Sequence, residues 1–96
     1  MELIRAGSAG TLESGDILVE IEKSSAPGVS IELSSTVANL YGRQIKQVIT
    51  ETLAGFGASG VLVRATDKGA LDCTVRARVS VALHRACGQD QYVWGE

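Results

Sequence analysis

Leu71-Asp72-Cys73-Thr74-Val75-Arg76-Ala77-Arg78-Val79-Ser80-Val81-Ala82-Leu83 is the stretch on which the fold turns, because it satisfies two periods at once. Leu71, Cys73, Val75, Ala77, Val79, Val81 and Leu83 alternate with mostly polar neighbours, which is the pattern of a half-buried strand. Leu71, Val75, Val79, Ala82, Leu83 and Ala86 also fall on one side of a helix. Length separates the two readings. From Ala70 to Ala86 there is no turn signal, which is long for a strand and ordinary for a helix. The segment is therefore read as a helix, with Thr66 or Asp67 placed to cap it.

Working back from this helix, Val61, Val63 and Ala65 alternate with Leu62, Arg64 and Thr66, a strand with one apolar side. Before it, Val37, Leu40, Tyr41, Ile45, Val48, Ile49, Leu53 and Phe56 follow the three-and-four spacing of a helical face. Ser34 or Ser35 stands where a cap is needed, and Gly55, Gly57 and Gly60 provide the exit. Two further strands precede that helix, one through Ile17, Val19 and Ile21 and one through Val29, Ile31 and Leu33. The turn residues Ser24, Ser25, Pro27 and Gly28 lie between them. This spacing predicts that the two strands pair antiparallel, while a helix between two strands of one sheet predicts a right-handed crossover. Residues 1–12 read as an extended edge segment. The expected fold is α+β, a two-layer sandwich in which a small mixed sheet of three to four strands carries both helices on one face.

The chain has 96 residues and is 45% hydrophobic, enough for one domain, 1–96, with its own core. Its formal charge of −2, without a cluster of Lys and Arg, disfavours nucleic acid as a partner. No apolar run approaches the length of a membrane span, and no basic-then-apolar leader opens the chain, so a cytoplasmic protein is expected. Cys73 and Cys87 lie about 21 Å apart along one helix and cannot bond to each other, which fits reduced thiols. The tail 88–96 lacks periodicity but carries Tyr92, Val93 and Trp94, more apolar weight than a solvated end needs, and is expected to dock on a partner surface.

No complete active site is visible. His84, the single histidine, is expected to be a helical residue with a solvent-facing ring, since no nucleophile-elbow spacing accompanies it. Cys73, His84 and Cys87 lack the paired spacing of metal ligands, so no metal is expected. Arg76 and Arg78 point in different directions on a helix and read as surface residues, unless one grips an acidic partner. What stands out is the polar turn Ala9-Gly10-Thr11-Leu12-Glu13-Ser14-Gly15-Asp16. Gly15 can adopt the positive φ of a tight turn, Glu13 and Asp16 keep its tip wet, and the Ser14 hydroxyl is expected to face solvent.

Taken together, that turn and Asp67-Lys68-Gly69-Ala70-Leu71-Asp72-Cys73, followed by Arg76-Ala77-Arg78, resemble the acyl carrier (gamma) subunit of citrate lyase. The serine turn is also similar to that of the malonate decarboxylase carrier, but Leu71-Asp72-Cys73 resembles the citrate lyase branch more. The resemblance implies that Ser14 carries phosphoribosyl-dephospho-coenzyme A through a phosphodiester, flanked by Glu13, Gly15 and Asp16. It implies a non-catalytic carrier of acetyl and citryl thioesters. The partners would be an alpha subunit that exchanges acetyl for citryl, a beta subunit that cleaves the citryl thioester, and a prosthetic-group transferase. Read without the resemblance, the residues leave open a small α/β interaction module in which Ser14 is only a turn residue.

Overall fold

A computed structural model describes residues 2–35 and 38–88. Val37, expected in the core, and the tail residues Tyr92, Val93 and Trp94, expected on a partner surface, lie outside the described residues. The elements run β1 (Gly7–Ala9), β2 (Ile17–Lys23), β3 (Val29–Ser35), α1 (Ala38–Gly55), β4 (Val61–Asp67) and α2 (Asp72–Ala86). The ambiguous stretch is helical, as its length indicated, and the front segment supplies a short edge strand. The result is a four-stranded mixed sheet with two helices, an α+β domain.

The strand order is β1-β2-β4-β3, which corrects the expected pairing of β2 with β3. Their directions are antiparallel, as the turn residues between them suggested, but β4 lies between them, antiparallel to β2 and parallel to β3. The register shows how. Lys23 at the end of β2 and Val29 at the start of β3 both stand opposite Val61, one on each side. The connection therefore arches over the first residue of β4 instead of closing a hairpin. Ser24 N–H donates to the Gly60 carbonyl at 2.8 Å, and the Gly28 carbonyl accepts from Gly60 N–H at 2.8 Å and Val61 N–H at 3.1 Å. Turn residues signal a reversal of the chain. They do not say whether a strand fits inside it.

Alternation along β2 and β4 sends Ile17, Val19, Ile21, Val61, Val63 and Ala65 to one side, where all are buried against the helices. Ile45, Val48, Ile49 and Leu53 of α1 and Val75, Val79, Ala82, Leu83 and Ala86 of α2 close the layer. Val29, Ile31 and Leu33 are only half-buried because β3 is an edge. The other face is polar, with Arg64 between Glu22 and Glu32, an exposed arrangement worth no more than about 1 kcal/mol.

Leu40 departs from the expected core and is 79% exposed. It lies nine residues before the fully buried Ile49, about two and a half turns, so its side chain leaves the opposite side of α1, while Gly42 takes the buried side at that end of the helix. At its other end α1 stops on backbone bonds: Gly57 N–H donates to the Ala54 carbonyl and Ala58 N–H to the Leu53 carbonyl, both at 3.0 Å. This crossed pair, with Ala58 buried over Leu53, is a common helix stop. The N-cap of α2 is Leu71, with no side-chain cap bond, which corrects the capping role expected of Thr66 or Asp67. Asp67, 1% exposed at the end of β4, instead accepts N–H bonds from Gly69 (3.1 Å) and Ala70 (3.0 Å) and a hydroxyl bond from Ser35 (2.9 Å). It shapes the loop before the helix.

Ile49 and Leu53 are fully buried, so Ile49→Ala or Leu53→Ala should lower unfolding free energy by about 2–5 kcal/mol. Leu40→Ala should stay within about 0.5 kcal/mol. Urea titration of the three variants checks this contrast, and a Leu40 variant as costly as Leu53→Ala would contradict the placement of α1.

Candidate functional site

Ile17 at the start of β2 and Ser35 at the end of β3 both face Asp67, the last residue of β4. One end of the sheet therefore gathers the Ser14 turn, the 67–71 loop and the entry to α1. The Ser14 turn itself joins β1 to β2, where Ala9 stands opposite Val19 and Gly7 opposite Ile21. Gly15 takes φ 84°, as its place in the turn required, and a Cβ at Gly10 would collide with the Ile17 carbonyl across the loop mouth.

Ser14 is exposed, and its hydroxyl makes no hydrogen bond among the described residues. Its neighbours do the holding. Gly15 N–H donates to the Lys68 carbonyl at 2.7 Å and Lys68 N–H donates to the Asp16 carbonyl at 2.9 Å, so the turn is stitched to the loop by two backbone bonds. Glu13, also exposed, accepts Asp16 N–H on its carbonyl at 3.0 Å and donates its own N–H to Thr11 Oγ1 at 3.1 Å.

Asp16 does not keep the tip wet, contrary to expectation: it is 9% exposed. Arg78 Nε and Nη2 donate to its two carboxylate oxygens, each at 2.9 Å. Thr11 Oγ1 donates at 2.8 Å and Ile17 N–H at 2.7 Å to the same carboxylate. The Arg78 hydrogen bonds above all, helped by Ile17 and Thr11 and opposed by burial, lower the Asp16 pKa from 3.8 to about 2. A bidentate guanidinium fork of this kind fixes orientation as well as charge. Arg78 is thus the arginine that grips an acidic partner, and Arg76, two residues away, stays exposed. Nothing local in the sequence could pair Arg78 with Asp16, since 62 residues separate them.

The other candidates fall away from this end. His84 lies six residues beyond Arg78, about 9 Å along the helix axis, toward the end where Ile4 N–H reaches the Ala86 carbonyl. Its ring is half-buried, not solvent-facing as expected, because it packs edge-on against Phe56 with centroids 5.2 Å apart and places Nδ1 2.7 Å from the Ser80 carbonyl. Cys73 is exposed and Cys87 half-buried, both as free thiols, and burial pushes the Cys87 thiol up. Among the described residues no group of three His, Cys, Asp or Glu side chains converges to hold a metal ion, and no helix is long and apolar enough to cross a membrane.

Residues 5–86 match the Malonate decarboxylase delta subunit (MdcD) family of acyl carrier proteins. The chain is 50% identical to the citrate lyase acyl carrier protein of Streptococcus uberis, over all of this chain and 94% of that one. It is 44% identical to that of Streptococcus mutans over the same shares. It is 47% identical to citrate lyase acyl carrier protein 2 of Salmonella paratyphi A, over 98% of this chain and 97% of that one. The chain belongs to the citrate lyase acyl carrier family. Among solved structures, a homoserine kinase from Cytophaga hutchinsonii has a similar fold, with a TM-score of 0.58 at 16% identity. That likeness covers 91% of this chain and 31% of the kinase, and shows the fold alone. In this member of the family, Ser14 is presented outward on a turn held by Asp16, two residues later.

Removing the fork tests that rigidity. Arg78→Gln or Asp16→Asn should destabilise the domain by about 1–3 kcal/mol, the range for charge-assisted bonds at a part-buried site. Because the Asp16 pKa is depressed on folding, its contribution is complete above pH 3.8 and is lost as pH falls toward about 2. Acid titration followed by circular dichroism should show wild-type stability falling through that window more steeply than that of Asp16→Asn. Equal slopes would contradict the ion pair.

Proposed function

We propose that this chain is the acyl carrier subunit of a citrate lyase complex and that Ser14 is its point of covalent attachment. The observation that carries the reading is the exposed Ser14 hydroxyl, without a partner among the described residues, on a turn held by the Asp16–Arg78 fork. The full-length citrate lyase relatives support it and favour that complex over a malonate decarboxylase. They weigh equally against an interaction module without a covalent group.

An attachment serine must reach the active site of a modifying enzyme and must afterwards leave its arm free to swing. This turn meets both needs: Glu13, Ser14 and Gly15 are exposed, and a Cβ at Gly15 would meet nothing within 4 Å. The fixed backbone beneath them presents the hydroxyl in one orientation. The Ser14 oxygen fits an ester to the phosphate of phosphoribosyl-dephospho-coenzyme A, whose thiol supplies the thioester chemistry. The chain itself breaks no bond of citrate. Its residues hold the attachment point, while an alpha subunit exchanging acetyl for citryl and a beta subunit cleaving the citryl thioester act on the arm. Glu13 and Asp16 serve attachment and turn geometry, and the setting is cytoplasmic.

Ser14→Ala should keep stability within about 0.5 kcal/mol, as an exposed turn substitution does. It should assemble with the alpha and beta subunits, gain no mass on incubation with the prosthetic-group transferase, and support no citrate cleavage. Intact-mass measurement beside reconstitution decides the matter. A wild-type chain that gains no mass with active transferase, or a fully active Ser14→Ala complex, would overturn the assignment.

A further inference from the structure

The end of the sheet that carries Ser14 also holds a groove with no part in attachment as described so far. α1 forms one wall and residues 67–72 the other, with Gln44 Nε2 donating to Asp72 Oδ2 at 2.9 Å between them. The groove encloses about 460 Å³ over Ile45 and Ala70, a size that accepts a large side chain. Its rim is apolar and wet. Tyr41 is 55% exposed, Leu71 is 71% exposed, and Leu40, one helical turn before Gln44, is the exposed residue already noted. Large aliphatic side chains gathered in this way on a soluble domain mark a surface that something covers.

Two observations join the groove to the serine turn. The Lys68 carbonyl accepts the Gly15 N–H, and the next residues, Gly69 and Ala70, are groove wall. With 3.8 Å between successive Cα atoms, turn and wall belong to one contact surface. Leu12, in the turn itself, adds a large aliphatic side chain that is 58% exposed on the serine side.

We propose that this groove docks the enzyme that esterifies Ser14, which seats an apolar side chain between Tyr41 and Leu71. The inference rests on the reading of Ser14 as the attachment point. Of the proteins that act on such a carrier, only the transferase does its chemistry on the Ser14 oxygen itself, so only its catalytic centre must lie against the turn. The subunits that act on the thioester meet the far end of the arm. In the transfer, Ser14 Oγ attacks phosphorus in a precursor activated as a phosphoanhydride. A new P–O bond forms, the bond to the leaving phosphate breaks, and the hydroxyl proton passes to a base of the transferase. An arm folded back from Ser14 would cover the groove floor and leave the outer sides of Leu40 and Leu71 in water. A protein surface covers them.

The test is the rate of mass gain when the purified full-length chain is incubated with purified transferase and its activated precursor. Leu71→Asp and Tyr41→Ser should load at least about tenfold more slowly at sub-saturating carrier, about 1.4 kcal/mol, with the loss in KM. Ile4→Ser, at a residue 68% exposed beside the last turn of α2, should load at the wild-type rate. Thermal melts and amide spectra verify folding, and Leu71→Ala replaces Leu71→Asp where the charge disturbs it. Wild-type loading rates in both groove variants would overturn the proposal. So would unimpaired loading together with shifts of the Tyr41 and Leu71 resonances on attachment, because the arm would then be the occupant. A wild-type chain that gains no mass removes the Ser14 reading and this proposal together, whereas wild-type loading with unimpaired variants removes this proposal alone.

Discussion

The carboxylate of Asp16, taken almost wholly out of water, is the constraint on which the Ser14 end of the sheet depends. A buried charge without partners is costly, and the chain meets the cost by converging four donors on two oxygens: the Arg78 fork, the Thr11 hydroxyl and the Ile17 amide. Each donor comes from a different place. Thr11 lies at the front of the turn, Ile17 begins the strand, and Arg78 lies on the middle of α2, so satisfying one carboxylate locks turn, sheet and helix into a single relative position. Ser14 inherits that position without contributing to it. Ser14 is held by its neighbours, and its own hydroxyl makes no hydrogen bond among the described residues.

Asp67 repeats the arrangement on the neighbouring strand end. It gathers Ser35 at the end of β3 with Gly69 and Ala70 of the loop, and the loop in turn bonds to Gly15 and Asp16. Two buried aspartates, at the start of β2 and the end of β4, thus organise the same end of the sheet. Backbone groups that have left the strand ladder there find carboxylate partners instead of water. The opposite end, where β2 passes over to β3, is closed by main-chain bonds with Gly60 and Val61 and by the hydroxyls of Ser24 and Ser59, with no carboxylate among these bonds.

What could be read in the sequence was what depends on neighbours along the chain. The helical nature of 72–86 followed from its length, the one-sided strands from alternation, the edge strand from the weak pattern at the front, and the positive φ of Gly15 from its place in the turn. The failures share a different cause. The insertion of β4 between β2 and β3, the burial of Asp16 and the edge-on packing of His84 on Phe56 are all decided by residues far apart in sequence. Leu40 fails for a local reason: three-and-four steps link it to Val37 and Tyr41, but nine residues carry it half a turn away from Ile49, so the expected face was drawn too wide.

The position of β4 has a consequence for how the chain is made. Among the described strands it is the last in sequence and the only one that contacts both β2 and β3, so a nascent chain ending before Val61 has two strands of opposite direction and nothing between them to pair them. Neither hairpin closure nor a partial sheet is available as a resting point, apart from the short β1–β2 contact. The helix α1 packs against β3, which precedes it, and against α2, which is made last among the described elements. Folding of this domain is therefore gathered into a single late event dominated by non-local pairing, which slows it relative to a bundle of the same size.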